Sequence, residues 1–120
     1  MSVFINHSNH ISDNWSQAQR EAALAYGSIV DMPFPELRAD YSEQKIREVI
    51  QRYLSEILAM NPVAVLCQGE FTYTYGLVSL LKEHGITVLA ACSERNSREE
   101  LQGGVSRKVS YFKFVQFRKY

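Results

Sequence analysis

Two apolar runs, the continuous Val63-Ala64-Val65-Leu66-Cys67 and Ile86 to Ala91, broken by Thr87 alone, constrain this chain more than any other feature. Neither alternates apolar with polar residues, so a strand formed from either must be covered on both faces. That is the pattern of a parallel sheet flanked by helices, because the crossover between parallel strands lays a helix on the sheet. The segments around these runs supply such helices. Ile46, Val49, Ile50, Tyr53, Leu54, Ile57 and Leu58 recur at three- and four-residue steps behind a capping Ser42, and Asn61-Pro62 closes the helix. A second helix is expected from about Thr72 to His84, with Leu77, Leu80 and Leu81 inward and Gly85 as its stop.

The rest of the chain fits the same alternation. Val3-Phe4-Ile5 is a short strand that ends in the polar turn Asn6-His7-Ser8-Asn9-His10. A helix from Trp15 to Tyr26 follows, with Asn14 as cap, Gln17 three residues later as in a capping box, and Gly27 as a left-handed stop. Ser28 to Met32 reads as a strand ended by Pro33 and Pro35. Ser93 to Lys108 is charged and carries Gly103-Gly104, so it is expected to be a mobile loop or long turn. Val109 to Phe117 then forms a long strand, antiparallel to its predecessor because no helix separates them. Its aromatics are expected to be core or a dimer face rather than a base-stacking platform. With right-handed crossovers, one domain over residues 1–120 results. It is an α/β, three-layer Rossmann-like sandwich with a mostly parallel five-stranded sheet, order 2-1-3-4-5, and an antiparallel C-terminal edge strand.

Hydrophobic residues make up 46% of the chain, enough for a packed core, and charged residues at 22% sit near the globular average, so global disorder is not expected. The formal net charge is zero, which argues against a duplex-DNA binder. It leaves room for a small nucleotide, whose phosphates need only a few N–H groups and one or two cations. The two cysteines, Cys67 and Cys92, lie in or beside apolar runs and read as reduced, buried thiols. No Cys-x-x-Cys pair or zinc-finger spacing is present, so neither metal nor cofactor is expected. With no leader-like opening and no apolar run near the ~20 residues that span a bilayer, a cytoplasmic protein without membrane contact is expected.

An open parallel sheet binds ligands beyond the carboxyl ends of its strands, where strand order reverses. Three exits meet there: Asn6, His7, Ser8, Asn9 and His10 after the first strand; Gln68, Gly69, Glu70, Phe71 and Thr72 after the third; Cys92, Ser93, Glu94 and Arg95 after the fourth. Gly69 permits a tight turn into a helix whose free N–H groups suit an anion, while Glu70 either caps that helix or faces the ligand. Arg95 either clamps a phosphate or pairs with Glu94 or Glu70, and Ser93 either donates to a phosphate or turns the chain. The third histidine, His84, sits at a helix end and reads as structural. There is no three-glycine dinucleotide fingerprint and no Gly-x-x-x-x-Gly-Lys loop, so ordinary NAD binding and NTP hydrolysis are not expected.

Asn6-x-Ser8-x-His10, then Gln68-Gly69-Glu70-Phe71-Thr72, then Ala91-Cys92-Ser93-Glu94-Arg95 and the aromatic strand ending Phe117-Arg118-Lys119-Tyr120 resemble the small CRISPR-associated ring nucleases, and the likeness spans most of the chain. Such proteins resemble the CARF domain, a Rossmann-like homodimer that holds cyclic oligoadenylate across its two-fold axis. The resemblance implies degradation of that antiviral second messenger, and in-line attack by the adjacent 2′-hydroxyl would need no metal. It gives Ser8 and His10 a ligand-site role most directly. On geometric grounds Glu70 joins them as a catalytic candidate. Asn6, His7, Asn9, Gln68, Gly69, Thr72, Ser93 and Arg95 are ligand-binding candidates, with His7 a second possible acid or base. No lysine stands beside these segments, a departure from larger ring-binding proteins. Three other readings compete: a sensor or sponge that binds without turnover, a nucleoside enzyme of deoxyribosyltransferase type with Glu70 as nucleophile and Asp31 as acid, and a docking protein that uses its last strand and basic tip.

Overall fold

A computed structural model describes residues 2–120. The elements are β1 (Val3–His7), α1 (Gln17–Leu24), β2 (Ser28–Asp31), α2 (Glu43–Met60), β3 (Ala64–Cys67), α3 (Phe71–Glu83), β4 (Thr87–Gln102) and β5 (Val105–Lys119), with a 3-10 turn at Ser12–Asn14. The five strands hydrogen-bond in the order β2-β1-β3-β4-β5, as the alternation of strands and crossover helices requires. β1 pairs in parallel with β2 and β3, β3 pairs in parallel with β4, and β5 runs antiparallel along β4.

Period-2 alternation divides the strand residues between two cores. Ile5, Val65, Cys67 and Val88 turn to the side packed by α2 and α3, against Ile50, Leu54, Ile57, Leu77 and Leu81. Phe4, Ala64, Leu66 and Leu89 turn the other way, to Ala23 of α1, Trp15, Tyr26 and Phe117. The whole apolar stripe read from α2 is used, with Ile46, Val49, Tyr53 and Leu58 packed around its buried residues. Ser42 caps α2 by accepting from the Lys45 N–H, and Asn61 ends it in the left-handed region. α1 contributes far less: it has eight residues, of which Ala23 is buried.

Two local readings change. α1 is capped by Ser16, whose side chain accepts from the Gln19 N–H, so the Asn14–Gln17 box is not formed and Asn14 closes the 3-10 turn instead. Gly27 does not take a left-handed conformation. It is needed because a Cβ there would fall 2.5 Å from the Ser2 carbonyl oxygen, where the chain passes β1.

The larger correction concerns residues 93–108, which form strand rather than loop. β4 pairs with β3 only over Thr87–Leu89 and then continues with β5 as its partner out to Gln102. Gly103 and Gly104 close this hairpin with φ of +59° and +79°, the two-residue turn whose twist matches that of the strands. The result is a long two-stranded arm, and the molecule measures 54 × 39 × 21 Å. At the base of the arm the pairing steps from Cys92↔Gln116 to Ser93↔Phe114, leaving Val115 without an opposite residue. This bulge puts Phe117, Phe114 and Phe112 on the same face of β5.

Candidate functional site

The carboxyl ends of β1 and β3 carry two adjoining cavities. One, about 270 Å³, is bounded by Asn6, Ser8, Asn9, His10, Asp31 and Phe34, among others. The other, about 810 Å³, lies between the start of α1 and the base of the hairpin, with Trp15, Gln68, Ser93, Phe112 and Lys113 in its wall. Ser8, His10 and Asn14 border both.

The loop after β1 hangs on one buried carboxamide. The Asn6 amide nitrogen donates to the His10 carbonyl at 2.8 Å and to Asp31 Oδ1 at 2.7 Å, and its oxygen accepts from the Ser8 hydroxyl at 2.7 Å. Both amide hydrogens are therefore consumed, and Asn6 has no donor left to read a base edge. Ser8 is similarly engaged: its single proton goes to Asn6, and its oxygen lies 3.3 Å from the His10 N–H. It sets the loop's shape rather than offering a free hydroxyl. Asp31 completes the network by accepting from the Ser12 N–H at 3.0 Å and the Ser12 hydroxyl at 2.8 Å. Partial burial pushes the Asp31 carboxyl upward, but the Asn6 and Ser12 donors and the charge of Arg20 outweigh it and hold it below its ordinary value.

His7 and His10 part company. As the next residue on β1 after Asn6, His7 points to the α2/α3 side and is fully buried among Phe34, Tyr53 and Tyr73. Its Nδ1 is 2.8 Å from the Met32 carbonyl, which can only accept, so Nδ1 carries the proton and Nε2 accepts from the Tyr73 hydroxyl at 2.7 Å. Burial lowers its pKa against the smaller opposing effects of the Met32 carbonyl and Glu56. His7 is thus a core residue and not a ligand contact. Asn9 and His10 are exposed in the cleft, and the His10 imidazole has no hydrogen-bond partner among the described residues.

After β3 the expected anion site is filled from within. Glu70 is the N-cap of α3: it accepts from the Tyr73 N–H at 2.8 Å and from the Thr72 hydroxyl at 2.7 Å, and these bonds keep its carboxyl below the ordinary range. Glu70 and Thr72 therefore serve the helix end, and neither borders the two cavities. Gly69 is fixed by Phe34, whose ring would lie 2.4 Å from any Cβ added there. Gln68 does face the larger cavity, its Oε1 held at 2.6 Å by the Ala91 N–H. Ser93 borders the same cavity, whereas Arg95 lies further along the arm, 3.4 Å from the Ser110 hydroxyl and outside both cavities.

Cys67 is sealed under the sheet edge, and burial pushes its thiol up to about 12, so it is no nucleophile. Among the described residues no three His, Cys, Asp or Glu side chains gather in a group able to hold a metal ion, and no helix is long and apolar enough to cross a membrane.

The model of the uncharacterized MJ1673 proteins matches residues 2–118, almost the whole of this fold. The chain belongs to the uncharacterized protein MJ1673 family. No curated protein matches it. In this MJ1673-family chain the cleft also includes residues that sequence reasoning passed over. Lys113 and Phe112 arrive from β5, some twenty residues beyond Ser93 along the chain, and only the hairpin brings them back. The two-glycine turn between charged segments is the signal that would have found them. Phe34 follows Pro33 in an irregular segment with no periodicity to mark it.

Proposed function

We propose that this protein is a CARF-like, three-layer Rossmann-type domain that binds cyclic oligoadenylate at the carboxyl edge of its sheet. In this reading it works in the cytoplasm as a homodimer and opens the ring without a metal. One observation carries it: His10, with an unpartnered imidazole, stands where a smaller cavity meets a larger one, on a loop pinned by Asn6, Ser8 and Asp31. An imidazole so placed is within reach of a bound ligand as a general base and then a general acid.

The chemistry needs no further group. His10 accepts the proton of a ribose 2′-hydroxyl as that oxygen bonds to the adjacent phosphorus in line. The P–O5′ bond breaks, and the leaving oxygen takes a proton from the imidazolium or from water. A 2′,3′-cyclic phosphate and a 5′-hydroxyl result. In this reading Ser93, which borders the larger cavity, donates to a non-bridging oxygen. Ser8 acts as a positioning residue through the His10 N–H. A two-fold dimer presents each group twice, which suits a ring of four or six identical nucleotides.

A binding-only reading is favoured by one specific fact. Of the two histidines at the β1 exit, only His10 borders the cleft, so a protomer lacks a separate acid and base of that kind. The test is incubation with cyclic tetra- and hexa-adenylate, with and without EDTA, followed by chromatography. Linear products that persist in EDTA are expected, and His10→Ala is expected to slow them by at least about 100-fold. Intact rings that nevertheless bind would establish the sponge, and wild-type rates in folded His10→Ala would remove that residue from the mechanism. Light scattering is expected to give twice the 13.8 kDa chain mass; a monomer at working concentration would refute the dimer.

A further inference from the structure

The three phenylalanines that the β5 bulge places on one face do not share one environment. Phe117 packs 5.4 Å from Phe4, centroid to centroid, and Phe114 packs 5.0 Å from Phe117. Phe112, next along the row, remains 73% exposed yet forms part of the wall of the larger cavity. A large ring left exposed on a paired strand at a cavity wall offers a flat face on which a heterocycle can stack.

The polar groups around it are those that a heterocycle uses. The oxygen of Gln68 is committed to the Ala91 N–H, which fixes the carboxamide and leaves its amino group, without a partner among the described residues, as a donor on the cavity wall. Ser93 pairs with Phe114, the next ring of the row, and borders the same cavity. Size separates the two cavities. At about 810 Å³ the larger falls within the roughly 300–1,000 Å³ range of pockets that enclose organic ligands, while the smaller at about 270 Å³ falls just below it.

We propose that the larger cavity is a purine-stacking subsite, in which one nucleobase lies on the Phe112 ring and accepts a hydrogen bond from Gln68, while its phosphate reaches toward His10. The proposal deepens the cyclic-oligoadenylate reading and rests on it for the ligand class alone. It assigns base selection to the hairpin and chemistry to the β1 loop.

Trp15, the single tryptophan, borders this cavity and supplies the probe. Adenosine 5′-monophosphate and linear diadenylate are titrated against intrinsic fluorescence, with uridine 5′-monophosphate as comparison. Saturable quenching by the adenine compounds is expected, weaker with uridine. Phe112→Ala is expected to weaken adenine binding by about 5- to 150-fold, the usual effect of one base–aromatic stack. Phe112→Tyr should restore it. The exposure of Phe112 makes both variants compatible with the fold. Absent saturation, or equal affinity in Phe112→Ala, overturns the subsite. Phe112-dependent adenylate binding with uncleaved rings keeps the subsite and removes the nuclease; ring cleavage with an unchanged KM in Phe112→Ala does the reverse.

Discussion

On the α2/α3 side of the sheet's carboxyl edge both ring nitrogens of His7 have partners; three residues further on, the His10 imidazole has none among the described residues. The same residue type is used for cohesion on one side and left available on the other. What separates them is strand geometry. Val3, Ile5 and His7 share one face of β1, so a histidine at the end of that row enters the core with the aliphatic residues and must be satisfied there. His10 lies beyond the strand, on a loop whose shape is set by Asn6 and Ser8 and whose Asn9 and His10 side chains are exposed at the cleft.

The difference is tested most severely by removing each ring. His7→Ala leaves the Tyr73 hydroxyl and the Met32 carbonyl without their partner and opens a void among three aromatic rings, so a loss of about 3–4 kcal/mol in urea unfolding is expected. His10→Ala is expected to stay within about 0.5 kcal/mol of the parent. A comparable loss in both would mean that the β1 loop belongs to the core and that the contrast between the two histidines is false.

The same contrast has a pH signature. Burial lowers the pKa of His7, so between its folded value and the ordinary 6.5 the unfolded chain binds more protons than the folded one. Its contribution is therefore fully present above 6.5 and is lost as pH falls below it. Asp31 and Glu70, whose carboxyls are held below their ordinary values, act in the same direction in a lower window, with stability lost below about 4. Urea midpoints from pH 7.5 to 3 should show two declines. His7→Phe should abolish the upper one and keep the lower. An unchanged upper decline in that variant would assign it to another group.

A smaller effect is expected at Asp31. Asp31→Ala removes the acceptor for the Asn6 amide and for both Ser12 donors, at an exposed position where water replaces part of what is lost. About 1–2 kcal/mol is expected. Ring cleavage should fall in proportion more than stability does, because the loop carrying His10 loosens. A double-mutant cycle with Asn6→Ala should show clear coupling, and additivity would deny that the loop hangs on this pair.

Much of the body was legible before any coordinates. The α2 stripe, the two-sided runs of β3 and β4, and short crossovers of fixed hand together leave little freedom in strand order, and order 2-1-3-4-5 follows. The site was legible in its location but not in its division of labour. Asn6, Ser8 and Glu70 are polar residues at strand exits, as a ligand site requires, yet each is occupied by a neighbour: the loop, the loop again, and the α3 terminus. Residue type does not distinguish a group that builds a site from one that faces it. The arm was illegible for a different reason. Both faces of residues 94–113 lie largely in solvent, so neither a buried run nor an alternating pattern marks them as strand.

That arm offers the finest test of the contrast between a cooperative body and an open edge. Gly103 and Gly104 hold φ of +59° and +79°, a region that costs a residue with a Cβ about 1–2 kcal/mol, and no atom lies within 4 Å of where a Cβ would sit. The penalty is therefore conformational and carries no clash. The paired double substitution to alanine should unravel the tip, from Glu99–Lys108 outward, while the rungs near Ser93–Phe114 stay anchored by the aromatic row. Native-state hydrogen exchange reads this residue by residue. Faster exchange is expected across residues 99–108, with protection of the β1 and β3 amides unchanged. If those amides lost protection in step, arm and body would unfold as one unit, and Phe112 could not be treated as a surface set on an independent support. If the arm alone loosens while the affinity for adenylate holds, the stacking surface resides at the base of the hairpin, where Phe112 sits between the bulge and the first free rungs.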